Sequence, residues 1–353
     1  MLPPAHLLLA LTMLSVADPA RFGTKVVRPH PSHCKNELLP ERERATSRGL
    51  DWLQRFLDDD RHLACIGEDA VEIFLEVGTS APTASVRQRC LVVARRYATK
   101  LLPHYLEEGA LQNHLNLEAA WALVARSDEL HLQMDDLVAR LADRMHSLGT
   151  FSEEYDVAAS DVTTVGDLDL TMVVVDAYLL EKLRLSHPEI PSILRLRELL
   201  ALLDDPTLWQ RATKNEEIRE ELGYVATHAY FALNDYGRLR VRPGEAPVVW
   251  TFMQKELPEA IAQDELELVA EFLDVFHSAG LSESRDEEMC KAARLLLESQ
   301  NPDGSWGTEG DDCYDTIHPT WTAVDALRAR EFLRGTAFER RRASLVGKTR
   351  DHD

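Results

Sequence analysis

The chain has 353 residues, 45% of them hydrophobic, with 39 Lys and Arg against 60 Asp and Glu and a formal net charge of −21. That charge opposes nucleic acid and anionic membrane surfaces as general partners, because phosphate-rich polymers bind through clustered basic side chains. The length exceeds one average domain but suits a single large helical one, and the ordinary hydrophobic content excludes a disordered or low-complexity chain.

In chain order, an apolar run from Leu7 to Leu14 comes first, followed by Ser15-Val16-Ala17, whose small-residue spacing a signal peptidase accepts. No Lys or Arg precedes Arg21, and the run is too short to span a bilayer, so no stable membrane insertion is expected. A buried N-terminal helix is the expectation, with secretion through an atypical signal as the alternative. Residues 22–40, with Gly23 and three prolines, read as an extended arm. The resulting division is an N-terminal helix and arm over residues 1–47, the main domain over 48–335, and a basic C-terminal tail over 336–353. The five cysteines, Cys34, Cys65, Cys90, Cys290 and Cys313, are an odd number at irregular spacing without a Cys-x-x-Cys pair. On their own they predict reduced thiols in a cytoplasmic setting rather than a disulfide framework or a four-thiolate zinc site.

Regular structure is predicted from Arg48, where Arg48-Gly49-Leu-Asp-Trp52-Leu53 opens an amphipathic stretch. Helical periodicity follows over 70–77, 85–102, 115–125, 128–147 and 171–185, each segment ended by Gly, Pro or a polar cluster. Val173-Val174-Val175 is β-branched, but it lies in a segment long and apolar enough for a buried helix, and no period-two strand pattern occurs. The fold class is therefore all-α.

Three segments resemble one another: 169–176, 227–234 and 318–325, each with a polar start, a bulky residue near it and an Asp or Asn seven positions on; 267–274 is a looser fourth. From Asp176 to Asn234 to Asp274 to Asp325 the spacings are 58, 40 and 51, near the roughly 40–47 residues of a helical-pair repeat. If such pairs close into a ring, an α/α toroid, the starts of the inner helices gather polar first-turn groups around one central cavity. That places Asp169, His228 and His318 in one site. His228, Asp315 and His318 supply the imidazole and carboxylate donors that a zinc or iron ion would accept. Tyr230, Asn234, Asp235 and Trp321, crowded near the two histidines in sequence, are the substrate-binding candidates. Asn234 and Asp235 before Gly237 are also good helix-ending chemistry, with Arg238 complementing the helix dipole. Phosphate-binding Gly-rich loops, a Gly-x-Ser-x-Gly elbow and a His-Glu-x-x-His helix do not occur.

Near the end, Lys291-Ala-Ala-Arg-Leu-Leu-Leu-Glu-Ser299 is an amphipathic helix pattern that Gln300-Asn-Pro302-Asp303-Gly304-Ser-Trp306-Gly307 must interrupt. A Gln at the helix end can bond exposed backbone groups, a Trp can cover the turn, and a Gly can take its backbone angles. Pro319 is predicted to open the next helix. The stretch from Lys291 to Trp306 resembles the QW repeat of the terpenoid cyclase and protein prenyltransferase superfamily. Arg48 to Asp60 reads as a degraded copy without the Gly-x-Trp ending.

The resemblance implies an α/α toroid of helical hairpins whose cavity takes a small, apolar substrate for cyclisation or isomerisation. Asp167-Leu-Asp169-Leu-Thr171 resembles the Asp-x-Asp-Asp-Thr-Ala acid motif of proton-initiated cyclases, with Asp169 at the proton-donating position and Leu170 where the tuning carboxylate would stand. Asp311, Cys313 and His318 resemble the zinc ligands of prenyltransferase β-subunits, although here the His follows Cys313 by only five residues. The catalytic candidates are Asp169, His228, Asp315 and His318, and the metal candidates His228, Asp315, His318 and Cys313. The alternative is a toroid that binds a ligand or a protein partner and has lost the acid motif.

Overall fold

Strong helix formers separated by capping residues dictate the architecture, and a computed structural model shows it for residues 34, 38–148, 167–190, 196–210, 216–310 and 312–346. The expected N-terminal helix and most of the arm lie outside these residues, as do the tail residues beyond Val346 and the side chains of Asp167 and Asp169. Among the described residues every regular element is a helix and no strand forms. Among the described residues no helix is long and apolar enough to cross a membrane.

The helices are α1 (Leu39–Leu57), α2 (Asp60–Ile66), α3 (Asp69–Ser80), α4 (Ala84–Tyr105), α5 (His114–Ala125), α6 (Ser127–Leu130), α7 (Asp135–Leu148) and α8 (Asp167–Ser186). They continue as α9 (Leu196–Leu203), α10 (Pro206–Trp209), α11 (Glu216–Asn234), α12 (Pro247–Gln263), α13 (Leu266–Ser278), α14 (Glu287–Glu298), α15 (Cys313–Leu327) and α16 (Ala337–Val346). α3 packs along α4, α5 along α8, α8 along α11, α11 along α13 and α13 along α15, while α1 and α2 lie against α15. α8 is buried nearly all round, enclosing Leu170, Val173, Val174, Ala177, Tyr178, Leu180 and Leu183 together with the polar Thr171, Asp176, Glu181 and Lys182. α14 is amphipathic and buries one face, Met289, Cys290, Ala292, Ala293 and Leu296.

Several boundaries differ from the sequence expectation for local reasons. α1 begins at Leu39, well before Arg48, because Pro40 sits at its start, where a missing N–H costs nothing. The segment 128–147 is two helices: His131 adopts φ 50°, and the N–H groups of His131 and Leu132 close back on the carbonyls of Asp128 and Ser127. That is a Schellman-like ending made without glycine. Pro319 lies inside α15 instead of opening it, and the helix starts at Cys313 with Asp312 accepting the Asp315 N–H. The basic segment from 336 is not simply a tail, since α16 buries Phe338 against Tyr178 and directs Arg341 to Glu181 and Arg342 to the Leu233 carbonyl.

The cysteines also depart from expectation. Cys34 is bonded to Cys290 and Cys65 to Cys313, and only Cys90 is a thiol, buried in the core. The partners stand 256 and 248 positions apart, so local spacing carried no sign of them. The expectation of reduced thiols is corrected accordingly.

The turn from Gln300 to Gly307 is built as its residues suggest. The Gln300 amide donates to the carbonyls of Ala45 and Gly304, and the Trp306 indole N–H donates to the Leu296 carbonyl with only 1% of the residue exposed. α1 clamps the turn from outside: Arg48 donates to the carbonyls of Asn301 and Pro302, Trp52 to the Asp303 carboxylate and Arg55 to the Asp303 carbonyl. Gly304 has φ 103°, and a Cβ there would lie 2.6 Å from the Arg48 carbonyl oxygen. Gly304→Ala therefore meets both strain and a backbone clash, and a loss of about 1–3 kcal/mol is expected in urea unfolding.

Candidate functional site

Three helices bring the site together. α11 offers Thr227 and His228, α13 offers Glu267 and Glu271 one turn apart on one face, and α15 offers Tyr314 and His318. Glu271 is the centre and is 2% exposed. One of its oxygens accepts from the Thr227 hydroxyl at 2.5 Å and lies 3.9 Å from His228 Nδ1. The other lies 3.8 Å from His318 Nε2. His318 Nδ1 meets Glu267 at 2.6 Å, while His228 Nδ1 meets the Tyr224 carbonyl at 2.9 Å. A carbonyl can only accept, so His228 carries its proton on Nδ1 and presents Nε2 as a lone pair. Tyr314 stacks on His318 at 4.9 Å, and Trp321 stands edge-on to it at 5.8 Å. Tyr314 keeps 37% of its surface exposed.

The titrations of these groups are pushed apart. Burial raises the Glu271 carboxyl to about 7, partly offset by His318 and by the Thr227 hydrogen bond. Burial lowers His228 to about 4, against the pull of the Tyr224 carbonyl and with the charge of His318. His318 moves the other way: burial opposes its charge, but the hydrogen bond and charge of Glu267, with Glu271 and Asp69 beyond, raise it. Asp69, at the start of α3, is raised by burial to about 6 despite His318, and Glu68 beside it to about 8 by burial and by Asp69. Burial keeps the Tyr314 and Tyr224 phenols protonated, and hence hydrogen-bond donors.

The structure brings His228 and His318 to one carboxylate, 90 positions apart in the chain, though neither stands where the repeat suggested. His228 lies well inside α11 and His318 in the second turn of α15. Trp321 borders the same cluster. Tyr230 does not: its hydroxyl donates to the carbonyls of Pro243 and Ala246, and its ring packs on Trp250. Asn234 bonds Ser278 and the Gly237 N–H, ending α11. Asp235, with φ 56°, is held by the Tyr178 hydroxyl at 2.7 Å and Lys182 at 2.9 Å. These three candidates are spent on the frame. Asp315 sits in the first turn of α15, its N–H on Asp312 and its Cβ against Gly310. Asp169 is in the first turn of α8, its side chain outside the described residues, and Asp311 is outside them altogether. Cys313 is no metal ligand, since its sulfur is bonded to Cys65. Among the described residues no group of three or more His, Cys, Asp and Glu is disposed to hold a metal ion, and the zinc-or-iron expectation finds no ligand set there.

Sequence reading missed Glu267, Glu271 and Asp69. The first two lie in the loose fourth copy of the repeat, which was the available signal. The four repeat markers, Asp176, Asn234, Asp274 and Asp325, are all buried.

Beside the cluster lies a separate network of buried charges. Arg126 meets both oxygens of Glu72 at 2.6 Å, and Arg238, 0% exposed, meets the same carboxylate at 2.9 Å. Burial opposes ionisation of Glu72 and Asp235, but Arg126, Arg238 and Lys182 outweigh it and hold both at about 2. Carboxylates depressed in the folded state stabilise it above their unfolded values near 4, and that stabilisation is lost as pH falls toward 2. For Asp69, Glu271 and Glu68 the sign reverses: their contribution is complete below about 4 and is lost as pH rises through about 6 to 8. Stability should therefore peak on the acid side of neutrality, near pH 5; urea midpoints between pH 3 and 9 test this, and a maximum at pH 8 or above would contradict the assignment.

Comparison with protein families, characterised proteins and solved structures gave no match to this chain.

Proposed function

We propose that the cluster around Glu271 is the active site of an acid–base enzyme that isomerises a small, largely apolar carbonyl compound. The carrying observation is that two imidazoles approach the buried Glu271 carboxyl, at 3.9 and 3.8 Å, and that the titrations of His228 and Glu271 are pushed apart, His228 down to about 4 and Glu271 up to about 7. Paired groups separated in this way divide the roles of acid and base. Neutral His228, with Nε2 free, accepts a proton from carbon next to the carbonyl. Glu271, protonated near neutrality, returns one at the far end of the resulting enol, and the Tyr314 hydroxyl is available to the carbonyl oxygen. The Glu267–His318 pair sets the charge beside Glu271. A carboxyl near 7 suits proton transfer at neutral pH but is too weak to protonate an isolated alkene, so this reading favours isomerisation over cyclisation.

The same reading takes the helices as an α/α toroid of terpenoid-cyclase type. It is supported by the succession of α5, α8, α11, α13 and α15, each packed on the next, with α1 and α2 on α15, and by the construction of the Trp306 turn. One observation favours the alternative of a binding protein: Leu170, in place of the tuning carboxylate of the acid motif, is fully buried. The two are separated with a β,γ-unsaturated cyclic ketone in D2O. The enzyme reading expects conversion to the conjugated isomer with deuterium incorporated, and loss of at least about a hundredfold in rate in Glu271→Gln and His228→Ala. Binding of the ketone without any deuterium incorporation would establish the alternative.

A further inference from the structure

The two disulfides differ in access and in what they hold. Cys34 and Cys290 are 8% and 6% exposed, whereas Cys65 is exposed on α2 and Cys313 half-buried. Cys313 is the first residue of α15, directly before Tyr314, whose ring stacks on His318. α2 is only seven residues long and packs on α1, α3 and α15. The Cys65–Cys313 bond thus ties a short helix to the turn that carries one wall of the Glu271 cluster.

We propose that Cys65–Cys313 is a thiol–disulfide exchange site whose redox state sets the geometry at His318, with a small or protein-borne dithiol as the reductant. Rates of exchange depend on which sulfur an attacking thiolate can reach, and here that sulfur is Cys65. The dithiol thiolate bonds to Cys65 Sγ and breaks the S–S bond, releasing Cys313 as a thiolate. The reagent's second thiol then attacks the mixed disulfide and releases Cys65. Two electrons pass to the cysteine sulfurs, the reagent becomes its own disulfide, and its two protons go to the two new thiols. Freed of its tether, the first turn of α15 holds Tyr314 over His318 less firmly and the Glu267–His318 contact loosens. Cys34–Cys290, buried, remains closed.

The proposal stands whether or not the cluster isomerises a ketone, because its test reads structure. The purified full chain is treated with dithiothreitol under native conditions, alkylated and mapped by mass spectrometry, while the His318 imidazole signals, assigned through His318→Ala, are titrated by NMR. Expected are alkylation of Cys65 and Cys313 about tenfold faster than of Cys34 and Cys290, a fall of the His318 midpoint toward the ordinary imidazole value, and unchanged helical circular dichroism. The Cys65→Ser, Cys313→Ser double variant should show the same His318 shift without dithiol. Opening of both disulfides together, or selective opening that leaves the His318 titration unmoved, overturns the proposal, as does the finding of five free thiols in protein purified without reductant.

Discussion

Trp306→Ala should destabilise the protein by about 3–5 kcal/mol, the range for removing a large aromatic from a close-packed interior. Trp306 is buried, its indole N–H bonds the Leu296 carbonyl at the end of α14, and its backbone N–H takes the Thr320 hydroxyl of α15. It also meets α1, where a Cβ on Gly49 would come within 2.9 Å of its ring. The side chain thus joins α14 and α1 while the backbone holds α15, and the Leu296 carbonyl loses its partner with the indole. Urea unfolding measures the loss, and an unchanged midpoint would mean that the 300–307 turn is not the keystone its contacts describe. The milder Trp306→Phe should cost less, because it keeps most of the apolar volume and forfeits the hydrogen bond.

Arg126→Ala should be as damaging, at about 3–5 kcal/mol, by a different route. Here the volume lost matters less than the charge stranded. Arg126 is 3% exposed and lies between Glu72 and Asp235, donating also to the Tyr178 hydroxyl. Without it, buried carboxylates that it holds ionised at neutral pH rely on Arg238 and Lys182 alone. The variant should consequently lose part of the wild-type stability rise between pH 2 and 5 as well as its overall level. A variant whose urea midpoint drops but whose pH profile keeps its full acid limb would show that the loss was one of packing. Arg126→Met, which fills the space without the charge, separates the two contributions.

How much of this was legible in the sequence depends on the range of the interaction. The helices were, because periodicity and polar caps act within a few residues, and so was the Trp306 turn, whose Gln, Gly and Trp bond within one loop and to its flanking helices; Pro319, expected to open a helix, lies inside one. The break at His131 was not, since a left-handed residue other than Gly or Asn leaves no compositional mark. Neither were the disulfides or the extension of α1 back to Leu39. At the site, the histidines stand out through their matching places in the internal repeat, but their function as a pair depends on Glu271, which sequence cannot distinguish from a solvated glutamate among so many acids. Tyr230, Asn234 and Asp235 stand out in the sequence as polar and aromatic groups crowded near His228, and the structure shows that each is satisfied by helix-ending and inter-helix bonds. Crowding made them conspicuous, and partners, invisible along the chain, decided their role.

The most direct test of the Glu271 cluster is NMR titration of the two imidazoles in the wild type and in Glu271→Gln. His228 is expected to remain neutral down to about pH 4, and His318 to stay charged above the ordinary imidazole midpoint of 6.5. Removing the Glu271 carboxylate should lower the His318 midpoint, because one of the charges that favours its protonated form is gone. Two imidazoles that titrate together near 6.5, and that Glu271→Gln leaves in place, would contradict the account.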